Sequence, residues 1–170
     1  YMFRAGLHTV SLQEEVTHVE NYFEMQELKY PGCVFYYIDI NPEVREWKIP
    51  QMIIHTIIEN EYKYAVNINQ MLTILIKASK ADVNGEEMLY VEVEDDGAGY
   101  PKEVLQFFEN QENTISKTGE RVGLKSVKRM MELMYERTIS NIEPHGCKNT
   151  FRIPAHAVQE MKEQKQIKMD

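Results

Sequence analysis

The feature that most restricts the fold is the dipeptide Asn84-Gly85, which separates two segments typical of β-strands. Asn-Gly is strongly preferred in two-residue hairpin turns, because both positions there adopt positive φ angles. In the second segment, 88–94, apolar residues alternate with polar residues and a tyrosine, which indicates a strand covered on one face. The first segment, 72–76, is mostly apolar. The chain is therefore predicted to build a hairpin into a sheet that other elements cover.

Helical patterns precede and follow this hairpin. Ser11 and Glu14 form a capping-box pattern, which opens a long helix that is predicted to end near Lys29. Further helices are predicted at 51–66, from about Pro101 and at 123–136, and further strands at 33–40, 138–142 and 149–153. This order predicts an α+β fold with one antiparallel or mixed sheet covered by helices. We divide the chain into a leading helix at 1–30, a domain at 31–154 and a charged tail at 155–170.

Composition narrows the possible functions and the compartment. The formal net charge of −8 argues against binding to nucleic acid, which requires a basic surface. The widely spaced Cys33 and Cys147 fit reduced cytosolic thiols better than a disulfide framework or a Cys/His metal site. No apolar run approaches the roughly 18 residues that a membrane span needs. Because the chain starts at Tyr1 and not at a methionine, we expect it to be a cytoplasmic piece of a longer protein.

The predicted helix at 51–66 carries a polar arc beside an apolar one. Its isoleucines fill the face that would pack on the sheet, whereas the neighbouring arc holds Thr56, Asn60, Lys63 and Tyr64. An amide, an ammonium group and an aromatic ring in this arrangement can bind a metal-phosphate group and stack on a base. By periodicity alone, a solvated helix face is the more frequent explanation.

Two glycine-bearing segments are further candidates for a nucleotide site. In the segment 95–99, Asp-Asp-Gly-Ala-Gly, the glycines allow a sharp turn and close approach of a ligand, and a carboxylate can accept a hydrogen bond from an exocyclic amine. In the segment 119–124, a loop enters a helix, and free amides at a helix N-terminus favour phosphate. Taken singly, each is as well explained by an ordinary turn or connection.

The order and spacing of these segments resemble the ATP-binding domain of the histidine kinase, gyrase, Hsp90 and MutL superfamily, and most of all the LytS/YesM-type sensor histidine kinases. The resemblance extends from about residue 10 to 154 and rests on five motifs. These are Lys48-Ile49-Pro50 leading into the helix that bears Asn60, a D-x-G-x-G turn at 95–99, Val122-Gly123-Leu124 for G-x-G-L, Asn149 to Pro154 for a closing G-T-x-x-x-I-P, and the leading helix itself.

The resemblance implies an α/β sandwich of the Bergerat type, with ATP and Mg²⁺ held between the asparagine helix and a lid at 109–122. Asn60 would hold Mg²⁺ against the phosphates, Lys63 would approach the phosphates, and Tyr64 would lie near the adenine. Asp95 would receive the adenine amino group. The remaining implied nucleotide-binding residues are Gly97, Gly99, Gly123, Leu124 and Thr150, the last supporting the Asp95 side of the pocket. Glu59 would act as a polarising base, although its direction on the helix fits a surface position equally well.

The resemblance also implies partners. The phosphoryl group would pass to a histidine on a separate helical element of the same full-length protein. Neither His8 nor His18 has the surrounding sequence of such an acceptor, so we expect it outside these 170 residues. A cognate response regulator and a homodimeric, membrane-anchored full-length protein are implied in the same way.

Three departures from the family pattern bear on ATP turnover. Glu61 stands where alanine is usual and falls on the apolar arc, so its carboxyl must be paired, protonated or turned toward the pocket. Arg121 replaces the first glycine of G-x-G-L, and Asn149 replaces a glycine before the last motif. The alternative function is therefore a degenerate relative that binds nucleotide weakly or not at all and acts as an interaction scaffold.

Overall fold

The computed structural model describes residues 9–107 and 136–155. The elements within these ranges are, in chain order, strand β1 (Thr9–Ser11), helix α1 (Leu12–Lys29), strand β2 (Val34–Ile40), a 3-10 turn (Pro42–Val44), strand β3 (Lys48–Pro50), helix α2 (Ile53–Asn60), a π-helical turn (Glu61–Ala65), and strands β4 (Leu72–Val83), β5 (Glu86–Asp95), β6 (Glu136–Asn141) and β7 (Cys147–Pro154). Residues 102–107 are also helical. None of the helices in these ranges is long and apolar enough to cross a membrane.

The main sheet has five strands in the order β2-β4-β5-β7-β6. Strand β2 runs parallel to β4, whereas the β4–β5, β5–β7 and β6–β7 pairs are antiparallel. The sheet is therefore mixed, and β4 and β5 form the predicted hairpin, with Asn84 and Gly85 both at positive φ. Strands β1 and β3 form a separate antiparallel ribbon, which the sequence patterns did not predict.

The core lies between one face of this sheet and the two long helices. Buried side chains of β4, β5 and β7 pack against those of α1 and α2, and the ring of Phe23 on α1 stacks on Tyr36 of β2 with centroids 4.0 Å apart. On the other face of β2, Phe35 and Tyr37 are exposed. The helices therefore cover one face, as predicted, and α2 is positioned beside the ends of β4 and β5.

Glu15 fixes the start of α2 from the neighbouring helix. Its carboxyl is 2% exposed and accepts hydrogen bonds from the backbone N–H groups of Met52, Ile54 and His55 at 3.0–3.1 Å. The first turn of a helix has free N–H groups, and a negative charge there also interacts favourably with the helix dipole. Glu15 therefore caps α2 in trans, since Met52 has no side-chain cap of its own.

Replacing Glu15 by glutamine is expected to lower the free energy of unfolding by about 1–3 kcal/mol, because one oxygen is lost and an amide N–H₂ then faces a backbone donor in a buried site. Urea unfolding of the two proteins measures this. Glu14→Gln is the matched control, since glutamine also serves at that position of the α1 capping box. An equal loss of stability in both variants would contradict the capping role.

Helix α2 differs from its predicted extent at both ends. Pro50 lies in β3 rather than in the first helical turn, and the helix begins only at Ile53 because Met52 adopts a positive φ of 73°. The α-helix ends at Asn60 and continues as a wider π turn. Such turns shift side chains from the positions that a helical wheel gives them. The predicted helix at 123–136 lies outside the described residues except for its last position, which begins β6.

Candidate functional site

Asp95 ends strand β5 and is 7% exposed. Its Oδ1 accepts a hydrogen bond from the Gly97 N–H at 2.8 Å, which bends the chain immediately after the strand. The next residue ties this bend to β4: the Asp96 carboxylate accepts from the Thr73 N–H at 2.7 Å, and the Asp96 N–H donates to the Thr73 carbonyl at 3.2 Å. These bonds hold Asp95 in a fixed position at the C-terminal end of the central strand β5.

Close packing within the protein requires a glycine at position 99 of the 95–99 turn, and it leaves little room at Gly97. A Cβ at Gly97 would lie 3.2 Å from Asp95 Oδ1, and one at Gly99 would lie 2.9 Å from both Asn141 Oδ1 and the carbonyl oxygen of Gly146. Gly99 also has a φ of +82°. The sharp turn predicted from these residues is confirmed, and the 141–146 segment packs directly against it.

Glu61, at the end of helix α2, contacts Asp95 at the end of strand β5. It is the first residue of the π turn, 6% exposed, and its carboxyl is hydrogen-bonded to that of Asp95. Burial raises the pKa of Glu61 to about 9, and the hydrogen bond to Asp95 and its charge act in the same direction. At neutral pH Glu61 therefore carries a proton and donates it to Asp95. The requirement derived from the helical wheel, that this carboxyl be paired or protonated, is confirmed.

Thermal stability is expected to fall as the pH rises from about 5 to about 9. The Glu61 carboxyl ionises near 4.5 in the unfolded chain but keeps its proton up to about 9 in the folded domain. Because the folded state binds one more proton across this window, its free energy of unfolding decreases with increasing pH. Glutamine cannot ionise, so Glu61→Gln should show a shallower decline in thermal melts. Parallel declines in the two proteins would contradict the assignment.

Cys147, and not Thr150, supports Asp95 on strand β7. The Cys147 thiol donates to Asp95 Oδ2 at 2.7 Å, and the two residues are directly paired in the β5–β7 register. Thr150 pairs with Glu92 and so faces the other side of the sheet. The role implied for Thr150 is therefore wrong, because alternate residues of a strand face opposite sides. The sequence motif places Asn149 at the position of the family's glycine. In the structure, the glycine beside Asp95 with a positive φ is Gly146, whereas Asn149 lies within the extended strand β7.

A buried polar network extends from Cys147 along β7. Asn149 is fully buried, accepts hydrogen bonds from Arg137 through its Oδ1, and donates to the Tyr100 hydroxyl at 3.0 Å. Burial raises the pKa of the Tyr100 hydroxyl, with the Asn149 hydrogen bond opposing this. Burial, the Asp95 hydrogen bond and the Asp95 charge raise the pKa of the Cys147 thiol. The Tyr100 hydroxyl and the Cys147 thiol are therefore neutral near pH 7.

Asn60, Lys63 and Tyr64 line the exposed side of α2 and the π turn. Tyr64 is 76% exposed, and the Lys63 Nζ lies 5.3 Å from its ring centroid. Asn60 is exposed and is adjacent in sequence to Glu61, which contacts Asp95. The structure thus brings the end of α2 to Asp95 through Glu61.

Glu59 is held by a histidine one helical turn earlier. His55 is buried, and its Nε2 lies 2.6 Å from Glu59 Oε1, whereas the Glu59 side chain is 51% exposed. The ring of His55 in turn contacts His18 and Tyr22 of α1, with centroids 4.5 and 4.7 Å away. Gly123, Leu124, Arg121 and the predicted lid at 109–122 lie outside the described residues.

The sequence patterns did not identify Cys147, Gly146, Tyr100 or Asn149 as site residues. Alternation along β7 was the available signal: its odd-numbered positions, beginning with Cys147, are buried, and its even-numbered positions are partly exposed. The sequence pattern predicted that this strand begins at residue 149. Cys147, its first buried residue, was therefore assigned to the preceding turn.

Comparisons with known proteins agree with this architecture. The family model described as histidine kinase-, DNA gyrase B-, and HSP90-like ATPase matches residues 48–157. The sensor protein LytS of Staphylococcus saprophyticus subsp. saprophyticus is 28% identical over 169 residues, which cover 94% of this chain and 28% of the relative. This chain therefore corresponds to less than a third of that relative's length.

Solved structures share the fold at low sequence identity. The catalytic domain of histidine kinase ThkA, in a nucleotide-free form, superposes with a TM-score of 0.56 at 17% identity and covers 87% of this chain and 96% of that one. ThkA in complex with response regulator protein TrrA gives a TM-score of 0.53 at 18% identity, covering 88% and 42%. The fold is that of a histidine kinase catalytic domain, as the resemblance implied.

Proposed function

Because the chain belongs to the histidine kinase-, DNA gyrase B- and HSP90-like ATPase family, we propose that it is the ATP-binding catalytic domain of a two-component sensor histidine kinase. In this role it transfers the γ-phosphoryl group of Mg·ATP to a histidine outside these 170 residues. The phospho-accepting helix of the same protein, a cognate response regulator and a second copy in a membrane-anchored homodimer are its partners.

One observation carries this proposal: the buried carboxyl groups of Glu61 and Asp95 lie together, with an oxygen of each within 4.8 Å of the other. It brings the end of α2 against the end of β5, which supports the proposal that Asn60, next to Glu61 in the chain, contributes to the same site as Asp95. If the adenine of a nucleotide binds at Asp95, its phosphates lie near α2. Two segments about 34 residues apart in sequence thereby contribute to one site.

The residues have distinct roles in this proposal. Asn60 binds Mg²⁺ through its amide oxygen, a ligand type that this ion accepts, and Lys63 neutralises phosphate charge. Asp95 accepts a hydrogen bond from the adenine amino group, and Tyr64 covers the base. Gly97 and Gly99 shape the adenine side, while Gly123 and Leu124, which lie outside the described residues, keep the phosphate-contacting role that the resemblance implies. Phosphoryl transfer of this kind depends mainly on positioning and charge neutralisation.

Glu59 is the candidate base beside the Mg²⁺ ligand. Its carboxylate is accessible, and the short contact with His55 fixes its direction on α2. A base oriented by a buried neighbour is in position to accept a proton from an incoming nucleophile. In the proposed reaction that nucleophile is the imidazole of the acceptor histidine.

The second candidate function, an interaction scaffold with weak or no nucleotide binding, is favoured by the same Glu61. Its carboxyl is buried at the position that would adjoin the base, and it already donates a hydrogen bond to Asp95. Together with Gly97 and Cys147, it gives Asp95 three donors from the protein itself. Adenine would have to displace the Glu61 donor.

Calorimetric titration with Mg·ATP separates the two functions. A dissociation constant below about 1 mM, with a rise in melting temperature at excess ligand, is expected for the catalytic domain. If several millimolar Mg·ATP gives neither a heat of binding nor a shift in melting temperature, the result supports the scaffold function.

Replacing Asn60 by alanine is expected to remove the Mg²⁺-dependent part of ATP binding with little change in stability, because Asn60 is exposed at the helix end. The loss should be at least about tenfold in affinity, comparable to one charge-assisted interaction. Titrations with and without magnesium measure it. Asn21→Ala, at an exposed position of α1, is the matched control. Unchanged magnesium dependence in Asn60→Ala would exclude Asn60 as the ligand.

A further inference from the structure

Three side chains with metal-binding atoms converge at the floor of the site. Glu61, Asp95 and Cys147 each offer one such atom, and these atoms all lie within 4.8 Å of one another. All three residues are buried, at 6%, 7% and 5% exposure. They come from three separate elements, the π turn, β5 and β7, so their spacing in the sequence gave no sign of a metal site.

A second observation concerns the Glu61 carboxyl alone. Its Oε2 is buried and has no hydrogen-bond partner. A buried oxygen without a partner costs free energy of order 1–3 kcal/mol. The Cys147 thiol donates to Asp95 Oδ2, and a Glu61 carboxyl oxygen lies close to both groups, so the three ligand groups share one buried centre. A cation at that centre would replace both protons and supply a partner for the Glu61 carboxyl.

We propose that Glu61, Asp95 and Cys147 form a binding site for a divalent cation of borderline softness, of which Zn²⁺ is the type. One thiolate with two carboxylates is a donor set that suits Zn²⁺, whereas Mg²⁺ prefers oxygen ligands in an octahedron. Three protein ligands leave the fourth tetrahedral position for water. This site is distinct from the Mg²⁺ position proposed at Asn60, but it shares Asp95 with the proposed adenine contact, so the ion and the base are alternative ligands of Asp95.

The geometry requires only small side-chain movements. Ligand atoms at zinc bond lengths of about 2.0–2.3 Å in a tetrahedron lie about 3.3–3.8 Å apart. The present Cys147–Asp95 contact of 2.7 Å must therefore lengthen, while pairs near the 4.8 Å limit must approach. In the binding step, Zn²⁺ displaces one proton from the thiol and one from the Glu61 carboxyl, and both are released to solvent.

The test uses the purified chain without nucleotide. Wild type is titrated with Zn²⁺ against a chelating indicator, and with Cd²⁺ while the ultraviolet thiolate-to-cadmium charge-transfer band is recorded. We expect one equivalent bound with micromolar or tighter affinity, a charge-transfer band, and a higher melting temperature with the ion. Cys147→Ser should remove the band and weaken Zn²⁺ binding at least about tenfold. Cys33→Ser, which changes the other buried cysteine, should leave both unchanged.

Glu61→Gln provides a second variant of nearly unchanged size, and it should also weaken Zn²⁺ binding about tenfold. Circular dichroism of each variant without metal establishes that it folds. Absence of stoichiometric binding to folded wild type would overturn the proposal, and the cluster would then be a proton-sharing pair beside a thiol. A charge-transfer band that persists in Cys147→Ser, or disappears in Cys33→Ser, would place the ion elsewhere and also overturn it.

Discussion

Replacing Glu61 by alanine is expected to tighten Mg·ATP binding by roughly tenfold to a hundredfold. In wild type, the adenine amino group must displace the hydrogen bond that Glu61 makes with Asp95. A hydrogen bond to a charged group contributes about 1.5–3 kcal/mol, and each 1.4 kcal/mol corresponds to a factor of ten. Alanine removes both this competitor and the buried volume of the carboxyl. Calorimetric titration of wild type and variant measures the difference.

Two further variants separate the possible causes of such a gain. Glu61→Gln removes the ionisable group but still fills the space and still donates to Asp95, so its affinity should remain close to that of wild type. Glu46→Ala removes one negative charge from an exposed position and measures how far a change of net charge alone alters the affinity. Glu61→Ala should exceed it, because the protonated Glu61 carboxyl contributes no charge near pH 7. If Glu61→Ala binds Mg·ATP no more tightly than Glu46→Ala, the pairing with Asp95 is not what limits nucleotide binding.

The result also decides between the two proposed functions. If the chain is a catalytic domain, wild type binds Mg·ATP with a measurable affinity and Glu61→Ala binds it more tightly. A scaffold whose site is closed by Glu61 acquires binding only in the alanine variant. In the second case, the single substitution would restore a site that the rest of the fold has kept in place.

The fold was largely predictable because its determinants are local. Asn84-Gly85 specifies the turn through positive φ angles, and alternation along β5 specifies the buried face. The β1–β3 ribbon was not predicted, because three-residue strands carry too little periodicity to be seen. The cap that Glu15 provides for α2 joins residues about 40 positions apart, so no local pattern reveals it.

The site was predictable only in part, for two physical reasons. Helical-wheel reasoning correctly placed Glu61 on the buried arc, but the π turn that follows changes the angle between residues beyond it, including Lys63 and Tyr64. On β7, a shift in the assumed start of the motif selected Thr150, and a strand position differing by an odd number faces the opposite side of the sheet. Only the β5–β7 register, in which Cys147 pairs with Asp95, identifies Cys147 as a residue of the site.

Replacing Gly146 by alanine is expected to lower the free energy of unfolding by about 3–5 kcal/mol, through backbone strain and overpacking together. Gly146 has a φ of +119°, and a Cβ there would lie 2.2 Å from the Asp95 carbonyl oxygen. That oxygen belongs to the backbone of β5 and cannot rotate away. The turn before β7 must therefore move, and Cys147 with it. Urea unfolding measures the loss.

Gly85→Ala isolates the contribution of the clash. Gly85 also has a positive φ, +81°, but a Cβ there would meet nothing within 4 Å. Its substitution should cost only the about 1–2 kcal/mol of the left-handed conformation. The excess loss in Gly146→Ala then reports how closely the turn packs on Asp95. Equal losses in the two variants would mean that the turn can move freely, and the position of Cys147 beside Asp95 would not be fixed by Gly146.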